Sequence, residues 1–255
     1  MAERFGSFLE VVMLRKAQER WSRAAAQAPE MDLNALRIWR GRARSLRREV
    51  DRVIHAAEAR LSAPRIGTNE RKQLGTDWIW RPDVWRGPVA SAGIAVSTSK
   101  TPISDDVVLF HDCTAPELVV RQMRNRDPAD LAGYGLTAEM FGFDGSFLSL
   151  AITLPQEAVS GLRLRHVIRL ETTIAVKRPV EIFARLNIKH GPNVEQILRE
   201  LPRSGPQVAE FDLAYSKFDE RRVENMWLDL IFERPAMNRI TLRDVTVSRR
   251  PRADI

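Results

Sequence analysis

A chain of 255 residues with 44% apolar and 29% charged side chains has a globular composition, enough for one core or for a small N-terminal element beside a domain of about 180 residues. No window approaches the roughly 18 uninterrupted apolar residues of a membrane-spanning helix, and a single cysteine, Cys113, excludes an internal disulfide. The net charge of +7 is concentrated at the start: residues 1–65 carry 14 Lys/Arg against 8 Asp/Glu, and residues 66–255 carry 26 against 25.

Residues 4–27 follow a helical period, with Phe5, Phe8, Leu9, Val12, Met13 and Trp21 near one face and Arg4, Arg15, Lys16, Arg20 and Arg23 around it. QAPEMD ends this helix, and Asp32 is placed to cap the next. Over 33–62 the apolar residues Leu36, Trp39, Ala43, Leu46, Val50, Val53, Ala57 and Leu61 step by three and four, close to a heptad seam. The pattern predicts a basic helical hairpin over 1–63 that self-associates or takes a partner helix through 36–61. Gly41 weakens the second helix by about 1 kcal/mol relative to Ala.

Residues 64–105 read as a linker and a Trp-rich lead-in, DWIWRPDVWRGP. From 106 to 250 short period-two runs replace the helical period. Strands are expected at Val107–His111, Glu117–Arg124, Gly135–Phe141, Phe147–Leu154, Leu162–Val176, Val180–His190, Val194–Leu201, Val208–Tyr215, Met226–Glu233 and Arg239–Arg249. Asp144-Gly145 is a hairpin signal joining Phe141–Phe143 to Phe147–Leu154. Strands at this spacing without helical windows indicate a mostly β chain, an antiparallel jelly-roll-type β-sandwich after an N-terminal helical hairpin.

Alternation assigns the faces. Leu148, Leu150, Ile152 and Leu154 point inward, as do Leu162, Leu164, Ile168 and Leu170, leaving Arg163, Arg165 and Arg169 outside. Ile182, Ala184, Leu186 and Ile188 alternate with Phe183, Arg185, Asn187 and Lys189; Leu228, Leu230 and Phe232 alternate with Trp227, Asp229 and Glu233. In the last strand Ile240 and Leu242 give way to Val245 and Val247, which calls for a bulge near Asp244.

The ending WLDLIFERPAMNRITLRDVTVSRR resembles the final strand pair of jelly-roll carbohydrate-binding modules and related galactose-binding-like domains, in which W-x-D-x-x-F is followed by a turn and I-x-L-x-D-V-x-V. The match covers about 25 residues, and residues 134–250 share the strand rhythm loosely. The whole chain is also identified as a member of an uncharacterised alphaproteobacterial protein family. The first resemblance implies aromatic side chains stacking on sugar rings, with Asp, Asn and Arg on the hydroxyls.

Several residues carry chemistry that such a role would use. Trp78, Trp80 and Trp85 form either a stacking platform or a seal over the open end of the sandwich. Arg163, Arg165 and Arg169, with Arg185 and Lys189 on a neighbouring strand and Phe183 and Trp227 facing the same way, form either a basic ligand face or a solvated one paired with Glu171, Glu181 and Asp229. Arg37, Arg40, Arg44, Arg47 and Arg48 on the second helix suit a nucleic acid or an anionic membrane surface.

Catalytic signals are weak. His111 and Cys113 share a strand parity but lack a flanking Gly motif. His55, His111, His166 and His190 show no metal-ligand spacing, and Asp144, Asp212 and Asp244 form no acidic calcium loop. No P-loop or dinucleotide fingerprint occurs. The expectation is a non-enzymatic binding or structural protein that recognises a glycan through its sandwich, without metal or cofactor. The alternative is polyanion binding through the Arg-rich helix, while a hydrolase's carboxylate pair could still assemble from distant strands. The single cysteine and the absence of a basic, then apolar, leader in MAERFGSFLEVVMLRKAQERW point to the cytoplasm.

Overall fold

A computed structural model describes residues 8–62, 75–89, 91–203 and 205–252. The chain divides into two compact units, Met1–Ile54 and His55–Ile255. The first holds α1 (Phe8–Gln27) and most of α2 (Leu33–Ser62), whose last turns fall past its boundary; the two form the expected hairpin around a 3-10 turn, Ala28–Glu30. Asp32 caps α2, its Oδ1 accepting from the backbone N–H of Asn34 at 2.9 Å and of Ala35 at 3.0 Å. The two helices meet where Trp21 lies edge-on to Trp39, ring centroids 5.3 Å apart. Arg4 and Phe5 lie outside the described residues, as do the side chains of Phe8, Leu9, Arg48, His55 and Leu61.

The second unit is a two-sheet antiparallel sandwich. Its strands are β1 (Trp78–Trp80), β2 (Gly93–Val96), β3 (Lys100–Pro102), β4 (Val107–His111), β5 (Leu118–Arg124), β6 (Tyr134–Met140), β7 (Phe147–Thr153), β8 (His166–Val176), β9 (Ile182–His190), β10 (Asn193–Glu200), β11 (Gln207–Asp212), β12 (Val223–Glu233) and β13 (Arg239–Pro251). The first sheet runs β11-β8-β13-β6-β5-β2, with β1 beside β13; the second runs β10-β9-β12-β7-β4-β3. Two short helices accompany the sheets, α3 (Asp83–Arg86) against β6 and β13 and α4 (Gln156–Val159) against β12.

The core lies between the inner faces that alternation assigned. Ile168, Leu170, Val245 and Val247 from the first sheet and Ala184, Leu186, Leu228, Leu230 and Ile152 from the second are wholly buried. Each such aliphatic side chain larger than Ala stabilises the fold by about 1.5–3 kcal/mol relative to leaving it in water. The parity change in β13 is a register shift between Leu242 and Asp244. There β13 leaves β6, after the pair Leu242–Leu136, and takes β1 as neighbour through Trp80–Val247 and Trp78–Arg249.

Three expectations change. The sandwich begins before residue 106, because β1, β2 and β3 already pair within it; these strands of three or four residues are too short to show a period. Asp144-Gly145 is no hairpin, because β6 and β7 belong to different sheets and the turn is a crossover. It is tied reciprocally to the 112–114 segment. Asp112 Oδ1 accepts from Ser146 N at 2.8 Å, Asp144 Oδ1 from Thr114 N at 2.9 Å, and a Cβ on Gly145 would fall 2.5 Å from Asp112 Oδ1. Finally, β8 and β9 also fall in different sheets, so the basic face combining Arg163, Arg165, Arg169, Arg185 and Lys189 does not form.

Candidate functional site

The outer face of the second sheet gathers the side chains best suited to hold a ligand. Directly opposite residues of an antiparallel pair share a face with Cβ atoms about 4.5–5.5 Å apart. On one rung Asn187 opposes Gln196 on one side and Trp227 on the other. On the next, Arg185 opposes Asp229, which opposes Ala151. On the third, Phe183 opposes Ile231, Ile231 opposes Ser149, and Ser149 opposes Phe110. Phe183, Trp227 and Phe110 are each partly exposed. Phe183 and Phe110 stand three strand spacings apart, about 14 Å, a reach that suits a chain of several rings. The ammonium of Lys100 lies 5.7 Å from the Phe110 ring centroid.

A polar network occupies the middle of this face. Arg185 donates from Nε at 3.0 Å and sets a terminal guanidinium nitrogen 2.9 Å from Asp229 Oδ2. Asn187 Nδ2 donates to the same Oδ2 at 2.9 Å, and Gln196 Nε2 donates to Asn187 Oδ1 at 3.0 Å. Asp229 is 5% exposed and Asn187 1%. Three donors thus converge on Oδ2, and no described residue donates to Oδ1. Such an arrangement fixes the orientation of Arg185, Asn187 and Asp229 before any ligand arrives and leaves acceptor capacity on Oδ1.

The sequence-predicted residues separate into three groups. Phe183, Arg185 and Trp227 come together on this face. Trp78 and Trp80 stack with centroids 6.4 Å apart on β1, half-buried against the core at the edge of the first sheet. Trp85 is fully enclosed and donates its indole N–H to the carbonyl of Leu242 at 3.0 Å, sealing the point where β13 leaves β6; it offers no ring face to a ligand. Arg163 and Arg165 sit in the turn before β8, exposed, with Arg163 bonded to Glu220 at 3.2 Å. Arg169, on β8, is held by Glu171 and Glu210. Phe110, Asn187, Gln196 and Asp229 join the candidate face without having been singled out for it; the signal was their outward parity, and what was missing was which strands flank β12.

Other chemistry is taken up by the fold. Nε2 of buried His111 lies 2.9 Å from the carbonyl oxygen of Thr98, and its Nδ1 accepts the backbone N–H of Cys113 at 3.2 Å. The Cys113 thiol, then Thr114, hold the Asp144 carboxyl down to about 2. Asp244 is clamped by Arg81 at 2.7 and 2.9 Å, and Asp212 accepts from Ala214 N at 3.1 Å, so the three candidate calcium ligands serve separate places. Among the described residues no group of three or more His, Cys, Asp or Glu is arranged to hold a metal ion. A cleft of about 590 Å³ on the first sheet is lined by Met123, Asn125, Thr241 and Arg243 among others. Its walls bind each other: Arg243 engages Asp127 and Asp130, and Asn125 donates to three carbonyls. On α2, Arg37, Arg40, Arg44 and Arg47 are exposed. No helix among the described residues is long and apolar enough to cross a membrane.

These features define a jelly-roll-type β-sandwich with an aromatic and polar outer face on one sheet. The chain belongs to the family of unknown function DUF6478, whose model matches residues 1–255. No curated protein matches it. Among solved structures it is similar to a family 11 carbohydrate-binding module from Clostridium thermocellum in complex with a β-1,3-1,4-mixed-linked tetrasaccharide, at 12% identity over 56% of this chain and 89% of that one, TM-score 0.38. It is also similar to the C-terminal family 22 carbohydrate-binding module of Clostridium thermocellum Xyn10B, at 6% identity over 71% and 96%, TM-score 0.36. The enzymatically active domain of bacteriophage CBA120 tailspike protein 4 matches at 7% identity over 56% of this chain, which spans 19% of that one, TM-score 0.39. At such TM-scores the ligand has to be read from this chain's own residues.

Proposed function

We propose that the protein is a non-enzymatic glycan-binding protein whose ligand lies across the outer face of the second sheet. The observation that carries this is the conjunction of Trp227, Phe183 and Phe110 with the Asp229 network on adjacent rungs. Aromatic faces receive the C–H faces of sugar rings, and a fixed carboxylate with a spare oxygen accepts a hydroxyl proton. Arg185 and Asn187 serve as orienting donors.

The charge balance supports a neutral glycan over an anionic one. Arg185 is paired with Asp229, and Lys189 with Glu224 at 2.6 Å, while Lys100 is engaged over the Phe110 ring. Paired cations generate little net field for an anion. A binding role rather than a catalytic one is supported by the engagement of His111 and Cys113 with the backbone and Asp144.

A glycan array at low and high salt, followed by calorimetry on the best oligosaccharide, tests the proposal. Binding is expected to be insensitive to salt and to weaken by about tenfold or more in Trp227→Ala and in Phe183→Ala. Full affinity in both variants would remove the second-sheet face from consideration.

A further inference from the structure

The apolar stripe of α2 is open to solvent. Leu36 is 37% exposed, Leu46 44%, Val50 46%, Val53 69% and Ile54 46%, while Trp39 is engaged by Trp21 and by the guanidinium groups of Arg20 and Arg42. From Leu36 to Ile54 the stripe runs about 27 Å. Arginines lie on both of its sides: at 100° per residue Arg42 flanks one edge and Arg40 and Arg47 the other, with Arg37 and Arg44 behind them.

We propose that α2 is a membrane-surface helix that lies along an anionic lipid bilayer, its stripe among the acyl chains and its arginines at the headgroups. Charge chooses this occupant. In a parallel pair of two copies Ala43 and Ala57 would fill core positions with little bulk, and the exposed Arg37, Arg40 and Arg44 would meet no opposite charge from the partner's stripe. A nucleic acid would engage the arginines and leave the stripe in water. A bilayer with anionic lipids takes both faces at once, since arginine stems lie along apolar surface while their heads reach phosphate.

The test is co-sedimentation of the 255-residue chain with vesicles of phosphatidylcholine alone or mixed with phosphatidylglycerol. Binding is expected only with the anionic lipid and should fall as salt rises. Replacing Arg37, Arg40 and Arg44 together by Gln should weaken it about a hundredfold. Leu46→Ser with Val50→Ser should weaken it about tenfold or more. Both variants should keep the thermal transition of the sandwich, so loss of binding is separable from loss of fold. Equal binding to both vesicles, or none, overturns the inference. So does tight duplex DNA binding that survives Leu46→Ser with Val50→Ser, or a dimer in sedimentation that those substitutions dissolve while vesicles stay unbound.

Discussion

Arg185 and Asp229 stand directly opposite on β9 and β12, and the guanidinium reaches Oδ2 through Nε at 3.0 Å and a terminal nitrogen at 2.9 Å. Asn187 adds a third donor at 2.9 Å. Removing the carboxylate strands these donors at a nearly buried position. Asp229→Ala is therefore expected to lower stability by about 2 kcal/mol in urea denaturation. Asp229→Asn keeps the shape but loses the charge, and should cost less stability while still weakening glycan binding. Unchanged stability in Asp229→Ala would show that the network orients nothing.

Trp85 joins two strands by filling the space where they part. Its indole N–H satisfies the Leu242 carbonyl at the register shift of β13, and Gln122 holds the same segment through the carbonyls of Val84 at 2.7 Å and Gly87 at 2.8 Å. Trp85→Ala leaves a large cavity and should destabilise by about 3–5 kcal/mol. Trp85→Phe should cost about 1–2 kcal/mol, chiefly from the unsatisfied carbonyl. Glycan affinity of the folded fraction should match wild type in both, because the ring does not reach the second-sheet face.

Acid should unfold the sandwich in two stages. Burial first, then the nearby Arg249 charge, lower the pKa of His166 below 6.5. The unfolded state then binds more protons, so this contribution is present above about pH 6.5 and fades as pH falls through the folded value. Asp144 stands at about 2 against an ordinary 3.8, held there by Cys113 and Thr114. Asp112 is lowered as well: desolvation opposes the shift, but hydrogen bonds from Ser146 and Phe147 prevail. Their contributions are present above about pH 4 and lost toward pH 2. Asp106 runs the other way, burial raising its pKa, and favours the fold when protonated. Urea midpoints measured from pH 7 to pH 2 should therefore fall, and Asp144→Asn should flatten the lower stage. A midpoint that holds steady into acid would contradict this account of the crossover.

Strand positions from β4 onward were legible because each strand buries one face, which writes a period of two into the sequence. Partnership was not. Alternation says that Arg169 and Arg185 face outward but is silent on which sheet each belongs to, and β8 and β9 lie in different ones. Asp144-Gly145 has hairpin chemistry, yet its carboxylate caps Thr114 on a distant segment rather than closing a tight turn. Phe183, Arg185 and Trp227 were readable as outward residues. Phe110 was not tied to them, because β4 joins this sheet through β7, a pairing distant in sequence, and Gln196 meets Asn187 across the local β9–β10 turn, whose register the alternation alone does not give.

The most direct measurement is an amide chemical-shift titration of the full chain with the best neutral oligosaccharide from the array. Ligand contact at the second sheet predicts the largest perturbations over Phe183–Asn187, Trp227–Ile231 and Phe110. Perturbations centred instead on Met123, Asn125 and Arg243 at the first-sheet cleft, or none with any oligosaccharide, would contradict it.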